Sequence, residues 1–178
     1  MGQVAVYPVA DYADMKVHPL AIGGVILGMG LGGFFDGIVL HQILQWHHLV
    51  CVTEHCQPTS IEHLKQQNRQ DGFFHLAVWI LTCVGSFRVF KAAGRSDAPR
   101  SLQFLMGAVL CGWGVFNFVE GMIDHQILGI HHVLPGSPYQ LHADMSFLGS
   151  GVILFFLGRW LLRRGFIERE GGEHATAR

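Results

Sequence analysis

Four long apolar runs constrain this chain more than any other feature. Residues 20–40 are apolar or glycine except for Asp36. Residues 72–90 carry only His75 and Arg88 as strongly polar side chains. Residues 102–123 are broken by Gln103, Asn117 and Glu120, and residues 145–162 by Arg159. Each run is about long enough, as a helix, to cross a hydrocarbon layer of roughly 30 Å. The expectation is an all-α membrane protein: one domain over residues 1–178, folded as a four-transmembrane-helix bundle in a lipid bilayer. Composition agrees, because half the residues are hydrophobic and only 14% are charged, too few to cover a soluble core. A net charge of -1 offers nothing to nucleic acid. Residues 1–17 hold acids and a proline and no apolar signal core, so the first span is expected to act as its own insertion signal.

Basic residues orient the spans. The second link holds Lys91, Arg95 and Arg100, with Arg88 at its edge, and the C-terminal flank holds Arg159, Arg163, Arg164 and Arg169. The first link has Lys65 and Arg69, and the third has no Lys or Arg. The positive-inside rule then places both termini and the second link in the cytoplasm, with the first and third links outside.

The chain also repeats itself. Residues 34–48 (FFDGIVLHQILQWHH) align with residues 118–132 (FVEGMIDHQILGIHH). Asp36 pairs with Glu120, His41 with His125, Gln42 with Gln126, His47 with His131, and His48 with His132. Asp71 before the second span matches Asp144 before the fourth; His75 has no counterpart in register, although His142 lies nearby. This predicts two repeated helical hairpins, residues 20–91 and 102–164, in the same orientation. Gly24, Gly28 and Gly32, four apart, offer the first span a stripe for close helix packing. Residues 168–178 read as a solvated, disordered tail.

The topology gathers chemistry in one layer. Spans one and three run outward to histidine doublets, and spans two and four start outside at an acid. Asp36, His41, His47, His48, Asp71, His75, Glu120, Asp124, His125, His131, His132, His142 and Asp144 therefore fall in the outer half or at the outer rim. Ionisable groups at such depth are costly and mark function. Imidazole with carboxylate is a transition-metal donor set suited to iron, zinc or copper(II). All of these residues except Asp124 form the candidate metal site, mono- or dinuclear. Its expected centre is His41, His75 and His125, with Asp36 or Glu120 and Asp71 or Asp144. At about 100° per residue, His41 and His48 share a face, as do Asp36 and His47. Such pairs lie too far apart along the axis to chelate one ion, so chelation must combine helices or use a bend after His41.

Other readings stand beside this one. The deep acids and histidines can form a structural polar network. The doublets can cap helices or meet lipid headgroups. Gln42 and Gln126 can orient ligands or simply bond between helices, and Asn117 is expected to bond across helices. Cys83 and Cys111 read as packing residues. Cys51 and Cys56, in one outer loop, suit a disulfide, against a thiolate site with His47, His48 and His55. For function, a metal-dependent oxidoreductase competes with a copper or other metal carrier and with a membrane haem protein. The carrier is weakened because Cu(I) favours sulfur and the methionines are scattered. The haem reading is weakened by the carboxylates and by the lack of a covalent haem motif.

The runs at residues 33–48, 71–75 (DGFFH) and 116–132 resemble a bacterial membrane family catalogued as domain of unknown function 2243. The resemblance spans residues 20–162; Asp144 matches the family's acid before the last span, and the loop from Cys51 to Cys56 departs from it. It implies a multi-pass protein of the bacterial inner membrane. Some relatives look linked to copper-assembly proteins of terminal oxidases, which implies respiratory membrane complexes as partners. It implies no activity.

Overall fold

The computed structural model describes residues 18–51 and 57–176, with 167–176 as backbone only. Residues 1–17, His55 and Cys56 lie outside the described residues, so the start of the chain is an expectation only. Four helical segments are long and apolar enough to cross a membrane: Pro19–Ile43, Ile61–Ala93, Leu102–Ile127 and Gln140–Phe166. No strand occurs among the described residues.

The first span begins as α1 (Pro19–Phe35). Pro19 sits in its first turn, where its missing N–H is no loss, and His18 Nδ1 accepts from the Leu20 N–H at 3.1 Å. The span then changes to a wider π-helical segment, Asp36–Ile43. The third span repeats the arrangement, with α3 (Leu102–Glu120) followed by a π segment, Gly121–Ile127. Both leave the helix with equivalent bonds. Leu44 N–H donates to Val39 O, and Leu128 N–H to Ile123 O, each at 2.8 Å. Just beyond, Gln45 and Gly129, 84 residues apart, both take positive φ (50° and 61°). Glycine adopts that conformation freely, whereas glutamine does so at a cost.

The second and fourth spans start earlier than the apolar runs suggest. α2 (Ile61–Ala93) adds polar turns, capped by Ser60 Oγ accepting from the His63 N–H at 3.1 Å. α4 (Gln140–Thr176) likewise begins ahead of residue 145. It also continues helical to Thr176 through a segment expected to be coil. No proline interrupts that segment, and Glu168, Arg169 and Glu170 are good helix formers.

Spans one and three form the central pair. α1 packs on α2 and α3, and α3 packs on α1 and α4. Glycine makes these crossings possible. A Cβ on Gly28 would lie 1.9 Å from Val109 O, and one on Gly112 would lie 1.9 Å from Val25 O. Gly24 meets the Ala108 methyl and Gly32 the Trp113 ring, so the expected stripe is the α1–α3 contact. Within the hairpins, Gly85 lies against Leu27, and Gly158 against the Cys111 backbone. Asn117 donates to Ser150 Oγ at 3.0 Å, bonding across helices as expected. Large apolar side chains including Phe73, Phe87, Phe90, Ile153, Phe156 and Trp160 are exposed, which suits a surface solvated by lipid.

Candidate metal centre

The site lies where the two π segments and the two loops that follow them meet. Because π-helical bonding runs from i to i+5, the turn is wider and residues five apart stand closer in angle than in an α-helix. Asp36 and His41, 140° apart in an ideal α-helix at about 100° per residue, thereby meet, with His41 Nε2 2.9 Å from Asp36 Oδ2. Glu120 and His125 hold the matched positions. After Ile43 the chain turns back and lowers His47 toward the same carboxylate, Nε2 to Asp36 Oδ1 being 3.5 Å. The second loop brings His131 Nε2 to 3.2 Å from Glu120 Oε1. The chain thus bends after His41, one of the two arrangements foreseen as able to bring the donors together.

Two sets of ligand atoms result. Asp36, His41, His47 and His131 each bring one ligand atom within 4.8 Å of the others, and Glu120, His125 and His131 do likewise. All are buried, the four histidines at 2% exposure or less. Such groups can hold a metal ion. Two ligands about 2.1 Å from one ion are themselves about 3.0–3.4 Å apart at octahedral to tetrahedral angles. The contacts above cover that range.

The far side of each ring faces an acceptor, and for His47 and His131 it is hydrogen-bonded. His47 Nδ1 donates to Val133 O at 3.0 Å, and His131 Nδ1 donates to His48 O at 3.0 Å. Each loop thus holds its histidine by the backbone of the other. His41 Nδ1 lies 3.2 Å from Asp71 Oδ1, and His125 Nδ1 lies 3.5 Å from Asp144 Oδ1. Asp71 also takes His48 Nδ1 at 2.6 Å, the Leu49 N–H at 2.9 Å and Gln42 Nε2 at 2.9 Å. Asp144 takes His132 Nδ1 at 2.8 Å and the Val133 N–H at 2.9 Å. Gln42 is therefore both an interhelical bond and a partner of a ring-orienting acid.

The inner face is left unsatisfied. A backbone carbonyl only accepts, so Nδ1 of His47 and of His131 carries the proton, and in the neutral ring Nε2 is a lone pair. Those lone pairs face carboxylate oxygens. Both Asp36 oxygens, Glu120 Oε2 and Nε2 of His41, His47, His125 and His131 are buried with no hydrogen bond. A buried polar atom left so costs about 1–3 kcal/mol. The arrangement calls for cations between these atoms, either added protons or metal. The protein field is uneven here. Burial pushes the His47 imidazole below its ordinary pKa, and the Asp36 contact opposes this without reversing it. For His131 burial also lowers, but the Glu120 contact outweighs it and the pKa rises.

The sequence-derived candidates therefore separate. Asp36, His41, His47, Glu120, His125 and His131 converge. Asp71, Asp144, His48 and His132 form the surrounding layer, and both acids contact the rings of the converging histidines. His75, expected at the centre, lies outside both groups. Its Nδ1 bonds back to Asp71 O at 2.8 Å, and its Nε2 abuts Gly37 in the widened π turn. His41, also expected at the centre, lies in the first group. His142 is exposed, on a part of α4 that faces away. Cys51 is disulfide-bonded, while Cys83 and Cys111 are free; the expected partner, Cys56, lies outside the described residues. The crossed ties from ring to carbonyl were not foreseen, because no sequence signal marks a backbone acceptor.

The sequence profile of the family described as "Predicted membrane protein (DUF2243)" matches residues 23–165. No curated protein and no solved structure matches the chain.

Proposed function

This chain belongs to the DUF2243 family of predicted membrane proteins, and we propose that it holds a transition metal within its bundle as the centre of an oxidoreductase-type enzyme. One observation carries the reading: imidazole lone pairs and carboxylate oxygens point at one another in a buried space, with no hydrogen bond among them. Two supports favour a resident centre over a carrier. The ligands are buried, whereas transfer requires access, and no sulfur joins either group, which disfavours Cu(I). Ring centroids 4.4 Å apart for His47 and His131, and 4.7 Å for His41 and His47, leave no slot for a porphyrin. Nitrogen and oxygen donors suit iron, zinc or copper(II), and of these iron and copper carry redox chemistry. The rings held from outside by carboxylates and carbonyls have the second layer that tunes such centres.

Elemental analysis of the detergent-purified protein, prepared without added metal, tests this. At least one transition-metal ion per chain is the expected result; metal-free protein that also takes up none on addition would sink the reading.

We place the site on the outer side of a bacterial inner membrane, with both termini cytoplasmic, on the distribution of Lys and Arg. A cysteine introduced at Ser137 should react with an impermeant thiol reagent in intact cells. Labelling only after lysis would invert the orientation and move the site to the cytoplasmic side.

A further inference from the structure

Resting on the reading of a resident metal, we propose that the centre holds two ions, each on a two-histidine, one-carboxylate set supplied by one half of the chain. The first set is Asp36, His41 and His47; the second is Glu120, His125 and His131. Each set lies within a group whose ligand atoms are within 4.8 Å of one another. An imidazole nitrogen with one lone pair binds one ion. His131 Nε2, which reaches both groups, stands 3.2 Å from Glu120 and is assigned to the second. The four Nδ1 atoms face outward, to Asp71, Val133 O, Asp144 and His48 O, so the four Nε2 atoms are the inward donors.

Charge sets the number. Asp36, Asp71, Glu120 and Asp144 are 1%, 1%, 7% and 2% exposed, and no Lys or Arg is buried among the described residues. With every imidazole neutral, His48 beside Asp71 and His132 beside Asp144 included, a single divalent ion leaves two carboxylate charges uncompensated in a low-dielectric bundle, where bare charge is severely penalised. Two divalent ions balance all four. Rings from the two sets stay close, His125 and His131 at 5.3 Å and His41 and His131 at 5.1 Å between centroids, so the ions share one chamber. Carboxylates and imidazoles on facing helices of a bundle are an established way to hold a metal pair. The two-histidine, one-carboxylate set leaves open positions on each ion and is the donor set of non-haem Fe(II) chemistry.

The experiment counts transition metal per chain in the detergent-purified full chain from iron-supplemented cells. Wild type should carry two ions. The double variants Asp36→Asn/His41→Ala and Glu120→Gln/His125→Ala should each carry one, and their combination none. One ion in wild type, lost in both double variants or untouched by one of them, overturns the pair while leaving a single metal centre standing. No ion in wild type removes the site itself. If the variants do not fold, cobalt(II) titration of chelator-stripped wild type still decides: the d–d absorption should saturate at two equivalents, and saturation at one overturns the proposal.

Discussion

Replacing His131 with alanine is expected to remove at least one metal ion from the centre and to lower the melting temperature by roughly 10 °C. The residue does two jobs. Its Nε2 stands 3.2 Å from Glu120, and its Nδ1 donates to the carbonyl of His48, tying the second loop to the first. Without the ring, a buried carboxylate loses its nearest cationic or metal-bound partner. Breaking one side of a buried charged pair costs about 3–5 kcal/mol. At this chain length each kcal/mol shifts the midpoint by about 2–4 °C. His142→Ala, which removes an exposed ring outside both ligand groups, should change neither quantity. Thermal unfolding in detergent, followed by fluorescence alongside metal analysis, reads both. A His131→Ala protein with full metal and an unchanged midpoint would show that the crossed loops are decoration.

A still larger effect is expected at the central helix crossing. Gly28→Leu should leave no folded, monodisperse protein after detergent extraction, and Gly112→Leu should do the same. The Cβ alone would sit 1.9 Å from Val109 O in one case and from Val25 O in the other. Carbon and oxygen approach no closer than about 3.3 Å even in the tightest Cα–H···O contacts. The backbones must therefore part by more than an ångström along the contact between α1 and α3. That movement also pulls apart the two π segments, which continue those helices and carry Asp36, His41 and His125, together with Glu120 at the end of α3. Gly72→Ala and Gly149→Ala serve as controls. Nothing lies within 4 Å of a Cβ at either position, so each should be neutral or gain up to about 1 kcal/mol in helix propensity. Size-exclusion profiles of the four variants check this. Folded Gly28→Leu at wild-type yield would mean the helices do not cross as described.

Much of this molecule was legible in the sequence, and the reason is physical. A bilayer imposes a length on each apolar run, and four such runs appear as four helices, with Asp36 and Glu120 deep in the first and third. The match between residues 34–48 and 118–132 put equivalent polar residues at one end of the bundle, because spans one and three run in the same direction. Gly28 was readable as a contact point because a helix four residues per ridge exposes it beside Gly24 and Gly32.

What the sequence could not decide was which of those polar residues meet. The α-helical phase set His41 beside His48 and Asp36 beside His47. The π segments change the angular step, so that Asp36 meets His41, and the loop brings His47 back to join them. No residue type announces a π turn; within the two segments Gly37 lies against α2 and Gly121 against α4. The early starts of α2 and α4 were hidden for a related reason. Their polar turns read as loop, yet Gln67 and Asp71, four apart on one face of α2, are buried. Asp71 and Asp144 were therefore foreseen as ligands, and the fold instead turns them toward the Nδ1 side of His41 and His125. His75, one turn from Asp71 and identical in type to the converging rings, instead bonds back to Asp71 O and lies against Gly37. Sequence determined the layer in which the histidines and acids lie, because membrane depth depends only on position along a span. Tertiary structure decided their partners, because side-chain direction depends on helix pitch and on where a loop turns back, and both are set by contacts between segments far apart in the chain.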